Sequence, residues 1–185
     1  MDTKYLHIWE LAKPYLAQGK RKDFVLHTQG VIQGMEILLR EEGGDETILL
    51  PAAILHDTGW SKVPVKLQRS DDKEDKHKAL KLHIQYALPI ITEVLEKAEY
   101  IDNKIKQVVD IVKDHQFVDP KELSKRLLID ADAMSDVFRE QFYGDVKAYN
   151  TTPQKLYEFR KKNTFYTKTA EKVFNEELEK RRQEI

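Results

Sequence analysis

The chain has 185 residues, 41% of them hydrophobic and 34% charged, with 31 Lys and Arg against 32 Asp and Glu and no cysteine. The length suits one domain, or one domain with a helical appendage. The balanced charge gives no electrostatic footprint for nucleic acid or an acidic membrane. The lack of cysteine excludes disulfides, a thiolate nucleophile and thiolate metal ligands. Any metal must therefore be held by His and carboxylate. The opening MDTKYLHIWELAKPYL has an acidic second residue and a broken apolar run, unlike a signal peptide, and no stretch approaches the roughly 20 apolar residues of a membrane span, so a cytoplasmic protein is expected.

Period-two alternation is scarce, glycines are few, and there is no Asn-Gly or Asp-Gly hairpin signal, which predicts an all-α fold. The first helix is expected from about Thr3 to Gln18, stopped by Gly19, with Tyr5, Ile8, Trp9, Ala12 and Leu16 as its apolar stripe. The second begins after Asp23, a good N-cap, and ends at Gly43-Gly44; Phe24, His27, Val31, Met35 and Leu38 keep helical spacing. The third, from about Asp45, carries LLPAAILHDTGW, with Pro51 suited to a first turn. There Leu49, Ala52, Ala53 and His56 share a face, and Asp57 falls at the helix end beside Thr58-Gly59. Ser61 to Lys76 is the longest irregular stretch expected. A fourth helix covers about Glu74 to Ala98, with His83 on its stripe and Pro89 as a break or kink; a fifth runs from Ile101 to His115. A sixth runs from about Pro120 through RLLIDADAMSDVF, placing Leu128, Asp132 and Ser135 on one face. Gly144 is expected at a turn, and one last helix over most of Pro153 to Arg182.

Four of the six histidines, His27, His56, His83 and His115, thus lie on apolar stripes of different helices, and Asp132 does so on another. Any one alone is more often a satisfied core residue than a ligand. Together, with Asp57 adjacent to His56, they call for a shared partner, and neutral imidazole with ionised carboxylate suits a metal ion.

The order of these residues, in VLHTQGV, AILHDTG, KLHIQYALPI, VKDHQF and LIDADAMSD, resembles the HD superfamily of metal-dependent phosphohydrolases over about Asp23 to Phe138. The resemblance implies a single-domain helical bundle of the HD-domain type with about 6–8 helices, divided into an N-terminal helix (1–22), a metal-binding core (23–138) and a C-terminal helical extension packed on it (139–185). It implies metal ligation by His27, His56, Asp57 and Asp132. Asp130 is the second choice to Asp132 and would instead orient a ligand histidine. In the two-metal branch Asp57 bridges while His83 and His115 hold a second ion; single-metal relatives use such histidines as phosphate contacts. The cofactor would be one or two divalent ions, of Mn, Fe, Co, Ni or Zn, since Mg matches so many imidazoles poorly. The implied reaction is attack of a metal-activated water on phosphorus, with Asp57 handling the water and His83 or His115 as general acid. The substrate would be a small phosphorylated metabolite, a nucleotide first among them. Arg21 and Lys22, just upstream of His27, and Lys62, Lys66 and Arg69 after the His-Asp pair are the candidate substrate cations, each of which as a bare surface cation would more often be solvated. A mixed-valent di-iron oxygenase uses the same scaffold and ligand order, and some relatives are non-catalytic binding modules; both remain alternatives. The oligomeric state is not legible.

Overall fold

The computed structural model describes residues 3–185; the acidic second residue of the opening stretch lies outside the described residues. The described residues form ten α-helices and one 3-10 turn and no strand. The all-α expectation holds, but the count exceeds the 6–8 helices expected, because part of the polar stretch folds into helix and the C-terminal segment is two helices.

Helix α1 (Thr3–Leu16) buries Tyr5, Ile8, Trp9, Ala12 and Leu16. Helix α2 (Phe24–Glu42) is capped by Asp23, whose side chain accepts from the Leu26 amide at 3.0 Å, and ends at Gly43 with φ +79°. Helix α3 (Glu46–Leu55) starts at the Asp45 cap, so Pro51 sits a turn deeper than its expected place. Every residue from Ile48 to Leu55 on α3 is buried, making it the central rod of the bundle. A 3-10 turn, Thr58–Ser61, follows. The polar stretch beyond it is more ordered than its composition suggests: a short α4 (Val65–Gln68) forms, and Asp72 caps α5 by accepting from the Glu74 and Asp75 amides. This is the first source of extra helix.

Helix α5 (Lys73–Lys97) runs unbroken through Pro89. Pro89 lies on the exposed face of the helix, as does Gln85, whose carbonyl loses its amide partner to the proline. Helices α6 (Asp102–Lys113), α7 (Leu123–Ser135) and α8 (Arg139–Ala148) complete the core and its flank. Gly144 is within α8 rather than at a turn; a Cβ there would stand 3.0 Å from Leu26.

The expected single C-terminal helix is two, α9 (Pro153–Arg160) and α10 (Lys168–Gln183). Asp130 on α7 holds the end of the link that precedes α10. Its fully buried carboxylate accepts from the Tyr166 amide at 2.9 Å and from the Thr167 amide and hydroxyl at 2.8 Å each. Thr167 then caps α10 through Ala170. These bonds hold residues 166 and 167 out of helix, and they correct the expectation that Asp130 orients a histidine. The pieces beyond α7 carry their own apolar cluster of Val137, Phe142, Leu156, Tyr157, Phe174 and Leu178.

Two close backbone approaches align the elements. Helix α2 presents Gly30 and Gly34 to α7, where added Cβ atoms would lie 3.0 Å from Ser135 Cβ and 3.2 Å from the Ala131 carbonyl oxygen. Gly59 in the 3-10 turn lies so near α5 that a Cβ would collide with the backbone of His83 and Ala87. Among the described residues, no helix is long and apolar enough to cross a membrane.

Candidate metal centre

The two glycine contacts bring the His and Asp side chains of four elements to one point. The end of α3 and its turn supply His56 and Asp57, α2 supplies His27, α7 supplies Asp132, and α5 supplies His83; His115 arrives from just past α6. All four histidines and Asp57 are buried, and Asp132 is 24% exposed. His27 Nε2 lies 3.3 Å from Asp57 Oδ2 and 3.0 Å from Asp132 Oδ1. His56 Nε2 lies 3.4 Å from Asp57 Oδ2 and 3.9 Å from Asp132 Oδ1. The other oxygen of Asp57, Oδ1, faces His83 Nε2 at 3.5 Å, and His83 Nε2 is 3.2 Å from His115 Nε2. Two groups suited to an ion therefore share one carboxylate: His27, His56 and Asp57 on one side, Asp57, His83 and His115 on the other. Ligand atoms about 2.1 Å from one ion lie about 3 Å apart when adjacent in octahedral coordination, so the spacing fits.

The hydrogen bonds behind the rings set which nitrogen faces the site. His56 Nδ1 bonds the Ala53 carbonyl at 2.9 Å and His115 Nδ1 the Val112 carbonyl at 2.5 Å, so each Nδ1 carries the proton. His27 Nδ1 lies 3.0 Å from Ser135 Oγ, and that hydroxyl already donates to the Asp132 carbonyl at 2.7 Å. The hydroxyl must then accept from His27 Nδ1–H. In all three rings Nε2 is therefore the nitrogen that faces the site, a lone pair whenever the ring is neutral, and for His27 and His56 it is buried without a hydrogen-bond partner. A lone pair aimed at a carboxylate oxygen is repelled unless a proton or a metal ion stands between them, so the two compete for the same position. The donor set thus fits one or two divalent ions on the ground of its own geometry. Replacing Ser135 with Ala removes the acceptor that His27 Nδ1–H has among the described residues; metal affinity should fall about 10–100-fold, measured by competition with a chelating dye.

The charges agree. Burial disfavours a charge on His56, but Asp57 and then Asp132 outweigh it and raise the pKa to about 9 in the metal-free protein. Burial would raise Asp57, but His56 and His27 hold it well below the ordinary carboxylate range. Burial pushes His83 down to about 3 and lowers His115 as well, keeping both neutral and ready to donate lone pairs. Below about pH 9 an ion must displace the proton that His56 carries, so apparent metal affinity should rise with pH across the range 6.5 to 9 and flatten above it. Calorimetric titration with Mn²⁺ at three pH values, in buffers of different ionisation enthalpy, checks this through the number of protons released.

Trp60 stabilises the shared carboxylate. Its Nε1–H donates to Asp57 Oδ1 at 3.1 Å, and its ring stacks on His83 at 4.7 Å and on Phe24 at 5.3 Å. A cavity of about 410 Å³ opens over Asp57, Asp132, His83 and His115. Its lining includes Arg21, Lys22 and Arg160, together with the exposed Phe117, Val118, Tyr149 and Tyr166. Burial opposes the charge on Lys22, but Tyr149, Asp57, Asp132 and Asp136 overcome it and raise the pKa. Arg160 is fixed by Asp136 at 2.5 Å and Asp145 at 2.7 Å. Phe117 adopts φ +63° and is 53% exposed.

Of the cations singled out in the sequence, Arg21 and Lys22 line this cavity, whereas Lys62, Lys66 and Arg69 are exposed and do not. Gln68, Ser135, Trp60 and Arg160 escaped notice as site-building residues. Ser135 was visible on the face of Asp132 and Trp60 one turn beyond Asp57, but Arg160 gave no local signal because its partners Asp136 and Asp145 lie on other elements.

Against known proteins, a family model described as HD domain matches residues 24–136. No curated protein matches the chain. Among solved structures, a predicted HD superfamily hydrolase from an uncultured Thermotogales bacterium superposes with a TM-score of 0.61 at 18% identity, covering 95% of this chain and 86% of that one. At that identity the likeness speaks for the fold.

Proposed function

The chain belongs to the HD-domain family, and from that premise we propose that it is a metal-dependent phosphohydrolase that cleaves a phosphate ester or anhydride of a nucleotide or similarly sized metabolite. The observation that carries this is the Asp57 carboxylate. Its Oδ2 faces His27 and His56, its Oδ1 faces His83, and a cavity of small-molecule size with a cationic wall opens above it.

The ligands for the ions are assigned as His27, His56, Asp57 and Asp132 on one side and Asp57, His83 and His115 on the other. Bound divalent ions would polarise the phosphoryl oxygens and bring the pKa of a water toward neutrality. The chain itself does the rest. Lys22 stays protonated among Tyr149, Asp57, Asp132 and Asp136, and meets the non-bridging oxygens of a phosphoryl group in the cavity. Trp60 fixes Oδ1 of Asp57, so the carboxylate cannot rotate as it orients the attacking water. His83 and His115 face each other through Nε2 atoms 3.2 Å apart and hold, or pass, one proton between them when no ion separates them. Phe117, Val118 and Tyr166 give the leaving portion an apolar lip.

The test is a panel of phosphomonoesters, nucleotides and dinucleoside polyphosphates, each assayed with Mn²⁺, Fe²⁺, Co²⁺, Ni²⁺, Zn²⁺ and Mg²⁺. Metal-dependent release of phosphate or of a nucleotide, lost in His56→Ala, is the expected result. Protein that binds metal yet cleaves none of the panel, and consumes oxygen when loaded with iron, would replace hydrolysis with oxygenation on the same scaffold.

A further inference from the structure

A second hollow adjoins the metal cavity. It measures about 620 Å³ and is lined by Lys20, Arg21, Arg69, Asp71, Lys76 and Tyr149 among others. Arg21 and Tyr149 line both hollows, so the two meet along these side chains. Three consecutive cations just before the α2 cap are divided between them: Lys20 lines only the second hollow, Lys22 only the metal cavity, and Arg21 both.

The division is built into the fold. The buried Gln68 side chain accepts from the Lys20 amide at 2.7 Å and donates to the carbonyls of Trp60 and Val63 at 3.0 and 2.8 Å. One side chain thus ties the Lys20–Lys22 segment to the turn that carries Asp57. Arg21 is steadied as well, its guanidinium 5.5 Å from the centre of the Trp60 ring. On the far edge Asn150 adopts φ +46°, turning the chain beside Tyr149. The second hollow holds four cations against one carboxylate, and among the described residues only Lys76 is drawn into an ion pair there, with Asp71 at 3.6 Å. An annex with unspent positive charge, continuous with a cavity that already holds the phosphate-facing Lys22, suits a second anionic group on the same molecule.

We propose that the substrate carries at least two phosphates in separate places: the scissile one over Asp57 and Asp132, and another in the annex, met by Lys20, Arg21, Arg69 and Lys76. This rests on the phosphohydrolase assignment above and narrows it from any phosphate ester to a polyanionic one. It also gives Arg69 a place, outside the metal cavity but within reach of the substrate's far end.

Adenosine 5′-monophosphate, adenosine 5′-triphosphate and adenosine 3′,5′-bisphosphate, compared at fixed low ionic strength with the metal-loaded protein, test it. At least one of the two polyanions should exceed the monophosphate in kcat/KM by about tenfold or more, and Arg69→Glu combined with Lys76→Glu should bring that ratio to near one. A ratio near one in the parent protein, or a high ratio that the double variant leaves intact, overturns the annex. If none of the three is cleaved, the phosphohydrolase assignment is judged on the wider panel above, and calorimetric binding of the same compounds decides the annex alone: tighter binding of a polyanion, lost in the double variant, upholds it, and equal binding overturns it.

Discussion

Replacing Asp57 with Asn should leave the chain folded, empty it of metal and lower phosphate-ester turnover by about a thousandfold or more. The substitution is isosteric and keeps an oxygen for the Trp60 Nε1–H, so the packing around the 3-10 turn survives. What disappears is the charge on which both histidine groups converge, with Oδ2 between His27 and His56 and Oδ1 opposite His83. Because one carboxylate serves both sides, the loss should exceed that of His115→Ala, which touches one side only. Elemental analysis and steady-state kinetics on the two variants, with thermal unfolding as the control for folding, check it. Wild-type metal content in Asp57→Asn would remove this residue from the centre of the site.

The second large effect is on the fold rather than the chemistry. Gly59→Ala should destabilise the protein by about 3 kcal/mol or more, a loss of about 6–12 °C in Tm for a chain of this size. The added methyl meets the His83 carbonyl group and the Ala87 amide nitrogen, which are helix backbone and cannot swing aside as a side chain would. The turn and α5 must separate, and since Asp57 is on one and His83 on the other, metal affinity should fall with stability. Differential scanning calorimetry with and without Mn²⁺ separates the two: a smaller metal-induced rise in Tm than in the parent protein is expected. A variant with unchanged Tm would mean that α5 does not pack as closely on the turn as the structure has it.

These two positions also show what was legible in the sequence and what was not. His27, His56 and His83 could be placed on buried faces because each continues a three-and-four apolar spacing, and the structure buries all three. His115 was expected within a helix and lies just beyond one, yet it points to the same place, since the bend after Lys113 is fixed by its own Nδ1 bond to Val112. The α9–α10 break was not legible. The end of the link between them, Tyr166 and Thr167, is held by Asp130, more than 30 residues earlier in the chain. Lys62, Lys66 and Arg69 looked equivalent in a polar stretch; only the fold, through α4 and Gln68, turns Arg69 toward the annex and leaves the other two outside both hollows. Sequence spacing carries what a helix face needs, and contacts between elements far apart in the chain carry the rest.

Asp57 is proposed to join two ion sites beneath the cavity. Anomalous diffraction from crystals grown with Mn²⁺, recorded near the manganese edge, tests it most directly. Two peaks flanking the Asp57 carboxylate are predicted, one among His27, His56 and Asp132 and one beside His83 and His115. A map in which saturating metal leaves either position without a peak, while the side chains keep the arrangement described, would contradict it.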